Sequence, residues 1–180
     1  AEIALVLWTS KKLGRPVKWQ GDRSEGLQED HARDTTLSAA LALDENGIFT
    51  GLEVRGTANM GAYLSNFGPL PAFGNLSGIA GTYLTPAIHA EILSVFTNTA
   101  PVHPYRGAGR PEATYAIEQV IDKAAAELGI DRAEIRRKNL IPASAMPYQT
   151  PLSYCYDCGE FERNMDAALS RSSYDQFEAR

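Results

Sequence analysis

The sequence predicts a mixed α/β fold, and three observations support that prediction. A period-two apolar pattern flanks an Asn46-Gly47 turn, which is typical of a β-hairpin. A stripe of apolar residues at helical spacing follows Pro111. A further β-type segment, residues 88–98, leads into that helix through a glycine-rich loop. We therefore expect a hairpin and a mixed sheet with packed helices, as part of a larger domain.

Length and composition indicate a globular domain or a part of one. The chain has 180 residues, of which 44% are hydrophobic and 22% charged, a balance typical of folded domains. A formal net charge of −5 disfavours nucleic-acid binding, because such proteins usually present a basic face. Two cysteines cannot form a disulfide framework, which favours a reducing compartment, and we expect a cytoplasmic protein. No apolar run approaches the length of a membrane span.

The first predicted helix contains the apolar run of residues 3–8 and ends at Gly14, with Pro16 as a stop signal. Its apolar character predicts burial. Because the run has no capping residue before it, we expect the chain to be a fragment of a longer one. Residues 15–20 suit a strand, and the polar residues 21–33 predict a loop.

A β-hairpin is the next predicted element. Apolar residues alternate over residues 37–43, as a half-buried strand requires. Asp44-Glu45-Asn46-Gly47 supplies turn residues, and residues 48–55 return as the partner strand. Residues 56–86 are rich in Gly, Asn, Ser and Pro, so they predict a set of surface loops. Their aromatic content indicates that these loops pack against something large.

Three helices are predicted in the second half. The first begins at Pro111, which suits the first helical position, and ends at Gly129. A short second helix begins at Asp131, which forms a capping-box pattern with Glu134, and a last helix covers residues 160–169. The apolar stripe of the first helix consists of Ile117, Val120, Ile121, Ala124, Ala125 and Leu128.

The loop that precedes the long helix, residues 103–112, carries the strongest functional signal. Gly107 and Gly109 lie between Arg106 and Arg110, directly before a helix N-terminus. Glycine permits close backbone approach, and free N–H groups together with the helix dipole attract an anion. We expect positive φ at Gly107 or Gly109, and at least two loop N–H groups that have no partner in the chain and face a concave surface. A tight turn without a ligand is the alternative.

Three other patterns are weaker signals. Glu112 replaces the third glycine of a dinucleotide-binding fingerprint, and its carboxylate would repel a pyrophosphate. Cys155-x-x-Cys158 lacks a second pair of ligands, so we expect two ordinary thiols without zinc or a catalytic disulfide. His31 could act as a base, although a hydrogen-bonded structural histidine is the favoured interpretation. The pattern alone leaves open an anion- or nucleotide-binding α/β module without redox activity.

Several segments together resemble the molybdenum hydroxylases, the superfamily of xanthine dehydrogenase, aldehyde oxidase and aerobic carbon monoxide dehydrogenase. Residues 104–113 read Pro-Tyr-Arg-Gly-Ala-Gly-Arg-Pro-Glu-Ala. The other matching segments are residues 14–18 with 22–25, residues 61–63 and residues 135–140. The resemblance covers nearly the whole chain and implies that residues 1–180 are a fragment of the molybdopterin-binding domain of a large subunit.

The resemblance implies specific roles for the loop. It implies that the cofactor is bound by Tyr105, Arg106, Gly107, Ala108 and Gly109. Arg106 and Gly107 would lie next to the molybdenum, and Ala108 and Gly109 would form the pocket wall. We expect no catalytic residue and no metal ligand in this chain, because the family's upstream glycine-rich loop and its general-base glutamate are both absent from it. The implied cofactor is molybdopterin, in its cytosine dinucleotide form, with molybdenum.

The resemblance also implies an activity, hydroxylation of an aldehyde or an N-heteroaromatic carbon with water as the oxygen source. Iron–sulfur and FAD groups on partner subunits or domains would remove the electrons, and the parent would be an oligomer that acts on a small molecule. Gly107 stands where the carbon monoxide branch has its copper-holding cysteine. Ala108 replaces an aromatic residue of the purine branch, and Gly74 falls where that branch has a substrate-orienting arginine. The isolated chain is expected to be inactive.

Overall fold

A computed structural model describes the backbone of residues 2–179 and their side chains, except those of Asn75 and residues 177–179. It contains a three-stranded sheet, a two-stranded ribbon and packed helices. The elements are α1 (Glu2–Leu13), α2 (Arg23–Glu29), β1 (Thr35–Leu43), β2 (Phe49–Asn59), α3 (Leu70–Gly78), β3 (Ile88–Val95), α4 (Arg110–Leu128), α5 (Arg132–Asn139), β4 (Tyr148–Gln149), β5 (Cys155–Tyr156) and α6 (Phe161–Ser172), with 3₁₀ helices at Ala143–Ala145 and Tyr174–Ala179.

The larger sheet has the strand order β1-β2-β3 and mixed direction. β1 and β2 form the predicted antiparallel hairpin. In its turn the Asp44 carboxylate accepts hydrogen bonds from the N–H groups of Asn46 and Ile48, and Gly47 has a φ of +81°. β3 pairs in parallel with β2, after a crossover that contains α3. The mixed α/β fold predicted from the sequence is confirmed.

Helix α4 covers one face of the sheet and forms the centre of the core. Its buried residues are Ala113, Ala116, Ile117, Ile121, Ala124 and Ala125. All of these except Ala116 share one cluster with Phe49, Leu52 and Val54 of β2 and with Ile135 of α5. Gly129 ends the helix with a φ of +65°, as predicted. The predicted stripe is therefore the core face, except that Leu128 at its end is exposed.

The N-terminal helix is confirmed, but its predicted burial is wrong. α1 ends at Leu13, and Gly14 follows with a φ of +63°. Among the described residues of α1 none is buried, and the side chains of Ile3 and Leu7 are 78% and 66% exposed. The apolar run thus forms a helix, but no described part of the chain packs over its apolar side chains. None of the described helices is both long and apolar enough to cross a membrane.

Three further segments differ from the sequence prediction. Residues 15–20 form no strand, because Pro16 removes a backbone donor and no neighbouring strand pairs with them. Residues 21–33 contain α2, which begins at a capping box in which Asp22 and Glu25 bond to each other's backbone N–H at 2.9 Å. Residues 56–86 are not all loop, because β2 continues to Asn59 alongside β3, and α3 follows.

Buried Asn139 connects the hairpin turn to α5. Its side-chain oxygen accepts a hydrogen bond from the Phe49 N–H at 2.8 Å. Its side-chain nitrogen donates to the carbonyl oxygens of Gly47 at 2.9 Å and of Ile135 at 2.8 Å. The residue is only 1% exposed, so water cannot replace these bonds.

We expect Asn139→Ala to lower the free energy of unfolding by about 1–3 kcal/mol, because buried backbone groups of the turn lose their partner. Urea denaturation monitored by circular dichroism measures the change. Asn98→Ala, at an exposed position, is the matched control and should stay within about 0.5 kcal/mol of the parent chain. Equal stability of the two variants would contradict the role of Asn139.

Asp131 caps the N-terminus of α5, although of the predicted capping box only the Asp131 half is formed among the described residues. Its carboxylate accepts hydrogen bonds from the N–H groups of Ala133 at 2.8 Å and Glu134 at 3.0 Å, and from the Tyr174 hydroxyl at 2.9 Å. Partial burial raises the pKa of the Asp131 carboxyl, but the donors, led by the Glu134 N–H, outweigh burial and lower it below its ordinary value of 3.8. The carboxylate therefore stabilises the fold above its unfolded-state pKa, and this stabilisation is lost as the pH falls through the lowered value.

We expect Asp131→Ala to cost about 1 kcal/mol of unfolding free energy at neutral pH, as the loss of a helix cap does. The difference should shrink in acid, as the carboxyl of the parent chain becomes protonated. Asp131→Asn retains an acceptor oxygen and is the control: it should keep most of the cap and lack this pH dependence. Denaturation midpoints measured across the acid range test this, and a gap between parent and Asp131→Asn that stays constant with pH would refute it.

Candidate functional site

The loop before α4 has an unusual backbone. Gly107, Ala108 and Gly109 have φ angles of +91°, +46° and +95°. Positive φ was predicted for at least one glycine and is confirmed at both. A β-carbon on Gly107 would lie 2.7 Å from the Pro111 ring, so a side chain is excluded there by space as well as by φ. Three successive residues of this kind reverse the chain at the start of the helix.

Two loop amides close the turn, and three do not. The N–H of Ala108 donates to the Tyr105 carbonyl and that of Arg110 to the Gly107 carbonyl, both at 3.1 Å. Among the described residues, the N–H groups of Arg106, Gly107 and Gly109 have no hydrogen-bond acceptor. Gly109 is buried, whereas Arg106 and Gly107 are exposed. The loop thus presents at least two unpaired donors, as predicted, whereas the expectation that they face a concave surface stays a prediction.

Arg33 binds the carbonyl side of the same loop. Its Nη2 donates to the carbonyl oxygens of Arg106 at 2.7 Å and Tyr105 at 3.3 Å. Its Nη1 donates to Glu112 Oε2 at 3.2 Å, and its guanidinium carbon lies 5.7 Å from the Tyr105 ring centroid. Arg33 itself has a φ of +62°, which is uncommon for a residue other than glycine. Sequence reasoning singled out neighbouring His31 and missed Arg33.

Arg110 and helix α3 hold the other side of the loop. Arg110 Nη1 donates to the Gly107 carbonyl at 3.3 Å, and Nη2 donates to the Tyr154 hydroxyl at 2.8 Å. Gly74 of α3 lies directly against the loop, because a β-carbon there would be 2.0 Å from the Ala108 carbonyl oxygen. Arg110 is therefore engaged with the protein, and α3 reaches the loop only because position 74 has no side chain.

The segment that carries Arg33 is fixed by its backbone. His31 donates its N–H to the Pro101 carbonyl at 3.1 Å and accepts from the His103 N–H at 2.9 Å. The His31 imidazole lies 3.8 Å from the Asp34 carboxylate. Both histidines line a cavity of about 620 Å³ between α2 and Tyr105. The backbone of His31 thus has a structural role, whereas the role of the His31 imidazole stays a prediction.

Asn59 ties the end of β2 to the same segment. Its side-chain nitrogen donates to Asp34 Oδ2 at 2.8 Å and to Thr99 Oγ1 at 2.9 Å. Its side-chain oxygen accepts from the Gly61 N–H and the Thr97 hydroxyl, both at 2.7 Å. Gly61 has a φ of +75°, and a β-carbon there would lie 2.4 Å from the Ala100 carbonyl oxygen. Residues 61–63, one of the segments that carry the family resemblance, thus lie where the backbone at Gly61 passes close to the backbone at Ala100.

Residues 135–140 hold α5 against α4 rather than contributing to the loop. Arg136 Nε donates to Glu118 Oε2 at 2.8 Å, and its Nη1 lies 2.9 Å from Asp122 Oδ1. Glu118 also accepts from the Tyr83 hydroxyl at 2.8 Å. Burial, reinforced by the Glu118 charge, raises the pKa of the Tyr83 hydroxyl well above its ordinary value. The Tyr83 hydroxyl is therefore a neutral donor at physiological pH.

Both cysteines are exposed free thiols in the β4–β5 ribbon region. A hydrogen bond and the charge of Asp157 raise the pKa of the Cys158 thiol, which disfavours the reactive thiolate. Among the described residues, no group of three or more His, Cys, Asp or Glu side chains is arranged to hold a metal ion. The expected lack of a redox or zinc role stays a prediction.

Comparisons with known proteins agree with this geometry. Residues 1–140 match the family described as the molybdopterin cofactor-binding domain. The chain is 34% identical to the gamma subunit of the 6-hydroxypseudooxynicotine dehydrogenase complex of Paenarthrobacter nicotinovorans, over 98% of this chain and 23% of that protein. It is 36% identical to the carbon monoxide dehydrogenase large chain of Hydrogenophaga pseudoflava, over 93% of this chain and 21% of that protein.

A solved structure is also similar. Quinoline 2-oxidoreductase from Pseudomonas putida 86 matches with a TM-score of 0.92 and 32% identity, over 99% of this chain and 23% of that chain. The chain thus spans between a fifth and a quarter of the length of these relatives, 21% to 23%. Nearly all of it is matched, and the resemblance noted from the loop residues is confirmed. The chain belongs to the molybdopterin cofactor-binding domain family.

Proposed function

We propose that this chain is a fragment, residues 1–180, of the molybdopterin-binding large subunit of a molybdenum-dependent oxidoreductase, and that its loop binds the cofactor. One observation carries the proposal: the N–H groups of Arg106, Gly107 and Gly109 find no acceptor among the described residues, beside the N-terminus of α4. Unpaired backbone donors at a helix N-terminus form an anion site. Family membership indicates which anionic group this is.

The residues present fit such a group. Gly107 and Gly109 allow close backbone approach, and the exposed Arg106 adds positive charge beside the free amides. Glu112, whose carboxylate could repel an anion, is paired with Arg33 at 3.2 Å. Arg106 and Gly107 would lie next to the metal, Ala108 and Gly109 would form the pocket wall, and Tyr105 would also contact the cofactor.

When bound, the molybdenum cofactor supplies the two-electron oxidation of the substrate. The residues of this chain would hold and polarise the group: the Arg106 and Gly107 amides would donate hydrogen bonds to its anionic oxygens, and Ala108 would limit the space beside them. The stretch from Tyr105 to Arg110 contains no carboxylate and no imidazole. Proton transfer would therefore depend on a group outside this loop, and no residue of the loop is assigned a catalytic role.

The proposed substrate is an aldehyde or an N-heteroaromatic compound, hydroxylated with oxygen from water. Gly107 offers no thiol for copper, which disfavours carbon monoxide as substrate. Position 74 has no room for an arginine, because a β-carbon there would meet the Ala108 carbonyl oxygen, and Ala108 offers no aromatic ring. Both departures disfavour a purine. One similar structure is named for quinoline, an N-heteroaromatic compound, which supports the proposal.

The proposed setting follows from the resemblance. The cofactor would be the cytosine dinucleotide form of molybdopterin, with iron–sulfur and FAD groups on partner subunits or domains, in a cytoplasmic oligomer. Two relatives support partner subunits, since one is the gamma subunit of a complex and the other is a large chain. The alternative, an anion- or nucleotide-binding module without redox activity, predicts that a protein containing this chain lacks molybdenum.

We expect Gly107→Ala, in the full molybdopterin-binding subunit that contains this chain, to lower the molybdenum content by about 10-fold or more. The new β-carbon would meet the Pro111 ring at 2.7 Å and strain a φ of +91°, displacing the loop amides. Molybdenum per polypeptide, measured by mass spectrometry of the metal, is the readout.

Gly26→Ala is the matched control for this substitution, since a β-carbon there meets no atom within 4 Å. It should retain the full molybdenum content. A parent subunit without molybdenum would support the nucleotide-module alternative. Full metal retention in Gly107→Ala would contradict the assignment of the loop.

The isolated chain of 180 residues should show no turnover and retain no molybdopterin. The loop supplies only one wall of a pocket, and a cofactor site requires its surrounding groups to be held closely in place. Assays with an aldehyde and with quinoline, together with metal analysis of the purified chain, test this expectation. One equivalent of tightly bound molybdenum, or turnover of either compound, would show that the chain holds a complete site.

A further inference from the structure

We propose that Arg33 is a positioning residue that orients two of the three free loop amides toward a bound oxyanion. The inference rests on the proposed function of the loop and extends it to a residue 73 positions away from Arg106. Arg33 does not itself present the amides. It acts through the carbonyl oxygens of the same peptide groups.

The argument begins with peptide geometry. In a trans peptide the C=O of one residue and the N–H of the next lie in one plane and point in opposite directions. The Tyr105 carbonyl shares its peptide with the Arg106 N–H, and the Arg106 carbonyl shares its peptide with the Gly107 N–H. Arg33 Nη2 binds both carbonyl oxygens, at 3.3 Å and 2.7 Å. The two N–H groups therefore point away from Arg33, and both lack an acceptor in the described chain.

The third free amide is oriented in a different way. The Gly109 N–H shares its peptide with the Ala108 carbonyl, which lies against Gly74 of α3 and not against Arg33. The space left by the missing side chain at position 74 accommodates that carbonyl oxygen. The Gly109 amide should therefore keep its direction when Arg33 is replaced, and it serves as an internal reference.

Arg33 also removes a charge that would oppose the anion. Glu112 stands in the first turn of α4, and its side chain is only 14% exposed. Pairing with Arg33 Nη1 at 3.2 Å offsets that negative charge. The planar guanidinium can contact two carbonyls and a carboxylate at once, whereas the single ammonium group of a lysine cannot reproduce that fork.

The test uses the full molybdopterin-binding subunit that contains this chain, freed of its cofactor and carrying ¹⁵N-labelled glycine and arginine, with sodium molybdate as the probe oxyanion. In the parent chain the amide resonances of Arg106, Gly107 and Gly109 should shift on titration. In Arg33→Gln the apparent affinity should fall about tenfold, as expected for the loss of charge-assisted hydrogen bonds. At saturation the Gly109 amide should still shift, and those of Arg106 and Gly107 should not.

Two further variants separate orientation from charge and from folding. Arg55→Gln removes the same charge at an exposed position that pairs with Glu53 and Glu91, and it should leave all three responses unchanged. Arg33→Lys keeps the charge beside Glu112 and should still lose the responses of Arg106 and Gly107. If circular dichroism shows that Arg33→Gln does not fold, Arg33→Lys tests the positioning role in its place.

The outcomes distinguish this inference from the function on which it rests. Unchanged responses at Arg106 and Gly107 in folded Arg33 variants would overturn the positioning role and leave the loop site intact. Equal loss at all three amides in Arg33→Lys would show a purely structural role and would also overturn it. No response of any amide in the parent chain would remove the oxyanion site, and the inference with it.

Discussion

Burial of the apolar face of α4 against β2 is the interaction on which the rest of the structure depends. Ile117 and Ile121 are almost completely buried, and together they contribute roughly 3–6 kcal/mol by the usual value for a buried aliphatic side chain. Exposed ion pairs such as Lys123–Glu127 contribute about 0–1 kcal/mol each. The core therefore fixes the axis of α4. The N-terminus of that helix, and the loop that joins it, are placed by packing rather than by surface charge.

Once α4 is fixed, the direction of each loop peptide is decided by what its carbonyl meets. Arg33 donates hydrogen bonds to the carbonyl oxygens of Tyr105 and Arg106. Arg110 donates to that of Gly107, and the Ala108 carbonyl oxygen lies against Gly74, where there is no side chain. The N–H groups of Arg106, Gly107 and Gly109 point away from these contacts and have no acceptor among the described residues. A buried amide without an acceptor costs about 1–3 kcal/mol, and Gly109 is buried. An acceptor supplied from outside the described residues would remove this cost, which is the physical basis of the cofactor proposal.

The parts of this arrangement that were predictable from sequence are those that depend on local patterns. The hairpin, α4 with its glycine end, and the positive φ of the loop glycines all follow from residues within a few positions of one another. α3 was missed because its glycines and prolines indicate loops, and it forms where the crossover packs against α4. Arg33 was missed because its partners lie 72 to 79 residues away, and no local pattern marks that pairing. The burial of α1 was predicted wrongly. An apolar run indicates a helix face suited to packing, but it does not show whether these 180 residues contain a surface that packs against it.

Gly74 determines how closely α3 packs against the loop. The missing side chain that admits the Ala108 carbonyl also means that no side chain projects from α3 at that position. An arginine could not be restored there by substitution alone, because its β-carbon would occupy the place of a backbone oxygen, and backbone cannot move aside as a flexible side chain can. α3 and the loop would have to separate first, and the Gly109 amide would lose the contact that sets its direction. On this backbone, recognition by an arginine at position 74 and the present orientation of the third amide are therefore mutually exclusive. The exclusion of a side chain at position 74 therefore follows from how α3 and the loop pack against each other.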